Sequence, residues 1–182
     1  MRYHLFFPLL MLAALPGGLH AQNPDTARAA LILKALSAAP PSVAEGATVL
    51  SGGGVIRQGT NGWVCFPGDP ETRHNYPMCA DEMWLEMFAA LNDRRKPVIS
   101  RVGISYMLQG GGGTSNTDPF ADAPTADNEW MDSGPPHVML VFPDAAVLDG
   151  ISTDPYNGGP WVVWKNTPYP VLVIPSAPRT RR

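Results

Sequence analysis

The chain has 182 residues, of which 45% are hydrophobic, and its formal net charge is −3. This length and hydrophobic fraction suit one globular domain with a real core, and the acidic balance argues against a nucleic-acid partner, which requires a basic surface. The 18 glycines and 20 prolines indicate many turns and few long regular elements, although they stay below the content typical of low-complexity chains.

The N-terminus has the three-part pattern of a secretory signal peptide. Arg2 supplies a positive charge, residues 5–15 form an apolar run, and Ala21 is a small residue at the expected cleavage point. The run is shorter than the roughly 20 residues that span a bilayer. We therefore expect a signal peptide over residues 1–21, a single globular domain over residues 22–182, and a periplasmic or secreted protein with no integral membrane segment after processing.

Two helices are predicted. The first covers residues 27–37, because Asn23 is a good N-cap, Pro24 suits the first helical position, and Pro40 and Pro41 end the helix. The second covers residues 80–93 and carries an apolar stripe at spacings of three and four, which predicts core packing. The stripe consists of Met83, Trp84, Met87, Phe88 and Leu91.

Short strands are predicted between and after these helices. They cover residues 47–50, 55–58, 63–66, 98–108, 137–142, 161–164 and 171–174. Residues 55–58 and 63–66 flank Gly59-Thr60-Asn61-Gly62, which predicts a hairpin, and the last two strands are expected to pair. The pattern as a whole predicts an α+β fold: a small antiparallel sheet with two helices and long Gly/Pro-rich loops.

Cys65 and Cys79 are the two cysteines of the chain. In an oxidising compartment they are expected to form a disulfide, and closing a loop of this length stabilises the fold by about 3 kcal/mol in the chain-entropy model. Two free thiols or a redox pair remain the alternatives. The spacing matches neither a C-x-x-C motif nor a zinc ribbon.

The segment over residues 109–136 is predicted to be a long loop. Loops of this length are uncommon in compact domains and are often functional or disordered. The loop is rich in oxygen donors, which suit Ca²⁺, but it lacks the EF-hand pattern, and Asp and Asn also form ordinary turns. Calcium therefore stays an alternative, and no cofactor or metal is predicted. The donors are Asn116, Asp118, Asp122, Asp127, Asn128, Glu129 and Asp132.

Histidine content limits the chemistry. After removal of the signal peptide only His74 and His137 remain, which excludes a His-rich metal site and an H-E-x-x-H helix. His137 stands at the start of a predicted strand, where a structural role is the ordinary interpretation. It is nevertheless the best catalytic candidate that the sequence offers.

A tripeptide recurs in two loops. Thr117-Asp118-Pro119 and Thr153-Asp154-Pro155 are each followed by an aromatic residue. The ordinary interpretation is a turn in which the Asp or Thr side chain bonds its own backbone. The alternative is that Asp118 and Asp154 converge near His137 and perform general acid–base chemistry.

Several short blocks together resemble a family of uncharacterised bacterial secreted proteins. They are residues 59–65, 77–79, 106–111, 115–119, 134–139 and 167–169. The resemblance covers most of the chain after the signal peptide, with Pro135-Pro136 before the histidine where the family pattern has one proline. The family has no established activity, so the resemblance implies no catalytic residue.

These observations favour a non-enzymatic envelope or secreted domain that binds a small molecule or another envelope component. Asn61 and Asn116, polar residues within turns, are binding candidates. The alternative is a hydrolase that uses His137 with Asp118 and Asp154, and it requires those three side chains to share one concave pocket.

Overall fold

The computed structural model describes residues 23–72 and 74–179, so the predicted signal peptide lies outside the described residues. Within them the helices are α1 (Pro24–Leu36), α2 (Pro41–Ala44), α3 (Glu82–Asn92) and a 3-10 helix (Ala145–Leu148). The strands are β1 (Thr48–Ser51), β2 (Gly54–Arg57), β3 (Val64–Phe66), β4 (Met78–Ala80), β5 (Gly103–Met107), β6 (Thr114–Ser115), β7 (Trp130–Met131), β8 (His137–Val141), β9 (Trp161–Val163) and β10 (Val171–Pro175). None of the described helices has the length and apolar character needed to cross a bilayer.

Eight strands form one sheet in the order β2-β1-β3-β4-β5-β8-β10-β9, and β6 pairs with β7 separately. Every neighbouring pair in the large sheet is antiparallel except β1 and β3. The predicted α+β class with mainly antiparallel pairing is confirmed, but the small sheet with two helices is wrong. Strands of three to five residues show too little alternation to reveal their pairing, and Pro41 begins α2 at its first position instead of only ending α1.

The predicted hairpin between residues 55–58 and 63–66 is also wrong. β1 lies between β2 and β3, pairing antiparallel with the former and parallel with the latter. The hairpin that does form joins β1 to β2, and its turn is made by Gly52 and Gly53. Both have positive φ, which glycine adopts without steric penalty. Asn61 instead donates from its amide to the carbonyl of Val43 and accepts from the backbone N–H of Trp63, so it holds the connection to β3 in place.

Both predicted long helices are confirmed, with ends shifted by one to three residues. Asn23 caps α1 by accepting from the N–H of Asp25, and Asp81 caps α3 by accepting from the N–H of Trp84. The other carboxylate oxygen of Asp81 accepts from the N–H of Ile104. The cap of α3 is therefore also its attachment to β5.

The two faces of the large sheet are packed by different helices. We call the face that carries Cys65 and Cys79 the disulfide face, and the two cysteines are bonded there as predicted. α1 packs on this face and contributes the buried Ala35, and the turn that follows the helix contributes Ala38. The apolar stripe of α3 packs on the opposite face, as predicted, against buried residues that include Val141. We call this opposite face the cleft face.

Candidate functional site

A cleft of about 1050 Å³ lies between α3, the cleft face of the sheet and the glycine-rich segment 111–114. This volume is at the upper end of the range of small-molecule sites, about 300–1,000 Å³. The cleft is bordered mainly by large apolar side chains. They include Phe66, Met78, Trp84, Phe88, Met107, Met139, Trp161, Val163, Val171 and Val173.

Strand register explains why these side chains share the cleft. Met107 is opposite His137 across β5 and β8, and Val173 is opposite both Met139 and Trp161 across β8, β10 and β9. Residues directly opposite each other in a sheet project from the same face, and residues two apart on one strand do the same. His137, Met139 and Trp161 are therefore placed on one surface by pairing alone.

Two glycines bring backbone close to the polar end of the cleft. Gly111 and Gly134 form an isolated antiparallel bridge. A Cβ atom on Gly111 would lie 2.9 Å from Cε1 of His137, and one on Gly134 would meet the guanidinium of Arg179. Any larger residue at Gly134 would displace this arginine, since the contact is far below van der Waals distance.

His137 is a neutral hydrogen-bond acceptor toward the cleft. Its side chain is buried, at 9% exposure, and its Nδ1 lies 2.8 Å from the carbonyl oxygen of Pro135. A carbonyl only accepts, so Nδ1 carries the proton. Burial lowers the pKa of His137, the bond to Pro135 partly opposes this, and the charge of Arg179 lowers the pKa further. Nε2 is then unprotonated, and it has no hydrogen-bond partner among the described residues.

Trp161 places an unpaired donor in the cleft wall. The residue is 2% exposed, and its indole Nε1–H has no hydrogen-bond partner within the described part of the chain. The indole nitrogen is a donor only, and leaving a buried donor unpaired costs about 1–3 kcal/mol. An acceptor on a bound molecule would remove this cost.

Arg179 supplies the positive charge of the cleft. Its guanidinium carbon lies 5.7 Å from the ring centroid of Trp161, and one terminal nitrogen donates to the carbonyl of Asp132. Its Nε is buried without a partner, and none of the ion pairs among the described residues includes Arg179. Burial lowers the pKa of Arg179, and Tyr156 and Asp132 act in the opposite direction. An arginine remains charged at neutral pH even so.

The carboxylates proposed as partners of His137 are used in turns. Asp118 accepts from the N–H of Phe120, and Asp154 accepts from the N–H of Tyr156, which is the ordinary interpretation of the repeated tripeptide. Both are exposed, neither lines the cleft, and His137 makes no hydrogen bond to either.

Asn116 joins the two loops that carry this tripeptide. Its amide donates to the carbonyl of Thr153 and to the carboxylate of Glu129, and the residue is buried. The two loops are therefore neighbours, as the acid–base hypothesis required, but the imidazole bonds the carbonyl of Pro135 and neither aspartate. Among the described residues no three His, Cys, Asp or Glu side chains are grouped as a metal site.

Sequence reasoning selected His137 but missed Trp161 and Arg179. Trp161 looked like one apolar residue of a strand, and Arg179 like part of a basic tail. Their role depends on β10 lying beside β8, with β9 on the far side of β10, and no local pattern reveals that order. The usable signal was the period-two alternation that puts His137 and Met139 on one face.

Comparison of the chain with protein-family models, curated proteins and solved structures finds no match.

Proposed function

We propose that this protein is an exported, non-enzymatic binding domain whose cleft holds a small molecule with a largely apolar body. The observation that carries the proposal is the cleft of about 1050 Å³ bordered by side chains of the hydrophobic core. Protein interiors are normally close-packed. Core side chains that border a cleft lack dispersion contacts on that side, and an apolar ligand would supply them.

The few polar groups of the cleft favour a ligand of defined orientation. Nε2 of His137 accepts, while Nε1 of Trp161 and Nε of Arg179 donate. A predominantly apolar pocket with a small number of convergent polar groups is typical of small-molecule sites. The disulfide between Cys65 and Cys79 supports a location outside the reducing cytoplasm.

Binding is favoured over the hydrolase alternative by the surroundings of His137. A general base is usually oriented by a carboxylate, as in catalytic triads, whereas Nδ1 of His137 bonds a backbone carbonyl. Asp118 and Asp154 already accept backbone N–H groups in their own turns. Moving either carboxylate to the imidazole would break its turn.

The test is a titration of the exported, processed protein with N-phenyl-1-naphthylamine, a neutral apolar dye whose fluorescence rises in apolar sites. We expect saturable binding with one site per chain. The Val173→Phe variant enlarges a side chain that borders the cleft and should weaken dye binding by about ten-fold or more, since overpacking a site costs roughly 1–3 kcal/mol.

Leu172→Phe is the matched control, because Leu172 precedes Val173 on β10 and projects from the disulfide face. This variant should bind the dye like the wild type. No binding by the wild type, or equal binding by both variants at unchanged circular dichroism, would contradict the proposal. Hydrolysis of a p-nitrophenyl ester by the wild type and its loss in His137→Ala would instead support the hydrolase.

A further inference from the structure

A half-buried arginine that forms no ion pair among the described residues stands at one end of the cleft. This residue, Arg179, lines the cleft. Buried charges are normally paired, because desolvation without a counter-charge is unfavourable. We propose that the ligand of this cleft is an amphipathic carboxylate whose headgroup binds Arg179 and Trp161. This inference rests on the proposed function.

The chain path brings the three polar groups together. His137 lies on β8 and Trp161 on β9, and β10 runs between them. Arg179 follows the end of β10 at Pro175, and its side chain returns to the ring of Trp161 and the backbone of Gly134.

The unmet hydrogen-bonding capacity matches an acceptor group. Nε of Arg179 and Nε1 of Trp161 are buried donors without partners in the described part of the chain. An ionised carboxylate only accepts, and its two oxygens offer about four lone-pair positions, so it has enough acceptors for both donors. Both donor atoms are closed off from solvent, so the headgroup reaches them by displacing the groups that cover them. It also neutralises the guanidinium, which a neutral hydroxyl or carbonyl does not. Charge-assisted hydrogen bonds of this kind are about twice as strong as neutral ones.

The remaining surroundings favour a single charge and an apolar body. Arg179 is the only arginine or lysine that borders the cleft among the described residues, so a phosphate dianion would remain partly unneutralised. Most of the wall, including Met139 and Val173, is apolar and suits an alkyl or aromatic body, although Asp69 also borders the cleft. Nε2 of His137 is available to a hydroxyl or amide N–H on the same ligand.

The experiment compares octanoate with 1-octanol as competitors that displace N-phenyl-1-naphthylamine. The two share an alkyl chain and differ in the head. In Arg179→Gln the affinity for octanoate should fall about 10- to 100-fold, the loss typical of a hydrogen bond to a charged group, while that for 1-octanol should change less than about three-fold. Trp161→Phe removes the indole donor together with part of the ring, so its effect is read against 1-octanol: octanoate should weaken by roughly 3- to 10-fold more than 1-octanol does.

Arg28→Gln is the matched control, because Arg28 is exposed on α1 and also donates to a backbone carbonyl, that of Ile56. It should leave both affinities unchanged. Equal losses of octanoate and octanol in Arg179→Gln, or an unchanged octanoate affinity, would overturn the carboxylate inference while the cleft still binds apolar molecules. Failure of the dye to bind the wild type would overturn the proposed function itself, and the inference with it.

Discussion

The two faces of the large sheet are packed by side chains of different size. On the disulfide face, α1 and the turn after it bring Ala35 and Ala38 against Val49 and the bonded cysteines, and all of these residues are fully buried. Small side chains allow the helix to approach the sheet closely. On the cleft face, α3 and the strands contribute larger Trp, Met and Phe side chains, and several of these also border the cleft. The disulfide face therefore carries a closed core, and the cleft face carries a core whose side chains also border a cleft.

The two faces also differ in how many buried polar atoms lack a hydrogen-bond partner. Four buried side-chain atoms lack a partner in the described part of the chain, and none belongs to the core around the disulfide. They are Oγ of Ser105, Oδ1 of Asn116, Nε1 of Trp161 and Nε of Arg179. Native proteins keep such atoms rare, and two of these four line the cleft. Unmet polar groups beside a cleft distinguish a binding surface from an imperfectly packed core.

The largest effect is expected for Trp84→Ala. Trp84 is buried in α3, borders the cleft, and donates from its indole to the carbonyl of Met139 at 3.2 Å. Truncating it should lower the free energy of unfolding by about 3–5 kcal/mol, as measured by urea denaturation. The control Leu33→Ala, at a residue on α1 with 70% exposure, should change stability by less than about 0.5 kcal/mol. A small loss in Trp84→Ala would mean that α3 is not anchored on the cleft face.

The disulfide should matter for stability and not for binding. Replacing both Cys65 and Cys79 by Ser should lower the free energy of unfolding by about 2–4 kcal/mol, because the bond closes a loop between β3 and β4. The bond lies on the disulfide face, so dye affinity of the folded variant should stay within about three-fold of the wild type. A folded double variant that no longer binds the dye would show that the two faces are coupled.

Local patterns predicted the two long helices and most of the strands, but they missed α2, β4, β6 and β7 and failed on the strand order. The cap at Asn23, the stripe of α3 and the pair of cysteines are encoded within a few residues, and each is found as expected. The β9–β10 pairing was also predictable, because a short loop joins the strands. The insertion of β1 between β2 and β3 was not, since Gly52-Gly53 and Asn61-Gly62 are both good turn signals.

The candidate site was predictable only in part. His137 could be selected because the chain has few histidines after the predicted signal peptide. Its Nδ1 bonds the carbonyl of Pro135, however, and not the carboxylate that the hydrolase hypothesis required. Trp161 and Arg179 become functional candidates only through contacts between strands far apart in the chain. Unpaired donors and an uncompensated charge are properties of the packed structure, and sequence periodicity does not contain them.

His137 on the cleft face should also make the free energy of unfolding depend on pH. Burial lowers the pKa of His137 below its ordinary value of 6.5, so at acid pH the unfolded chain binds a proton that the folded chain resists. This contribution to stability is present in full above pH 6.5 and is lost as pH falls below it toward the folded-state pKa. Urea denaturation at pH 7.5 and pH 5.0 should therefore show a larger loss in the wild type than in His137→Gln. Parallel losses in both proteins would contradict this.

The smallest loss of stability is expected for Gly111→Ala, and the alanine variant of a second glycine, Gly59, serves as its comparison. A methyl at Gly111 would meet the far ends of His137 and Met107, which border the cleft and can shift, so the free energy of unfolding should fall by less than about 1 kcal/mol. A methyl at Gly59 would lie 2.2 Å from the backbone nitrogen of Thr48, and overpacking there should cost about 1–3 kcal/mol. Neither glycine is among those at positive φ, so the comparison isolates steric contact. Equal losses in the two variants would show that the polar end of the cleft is packed as tightly as the start of β1.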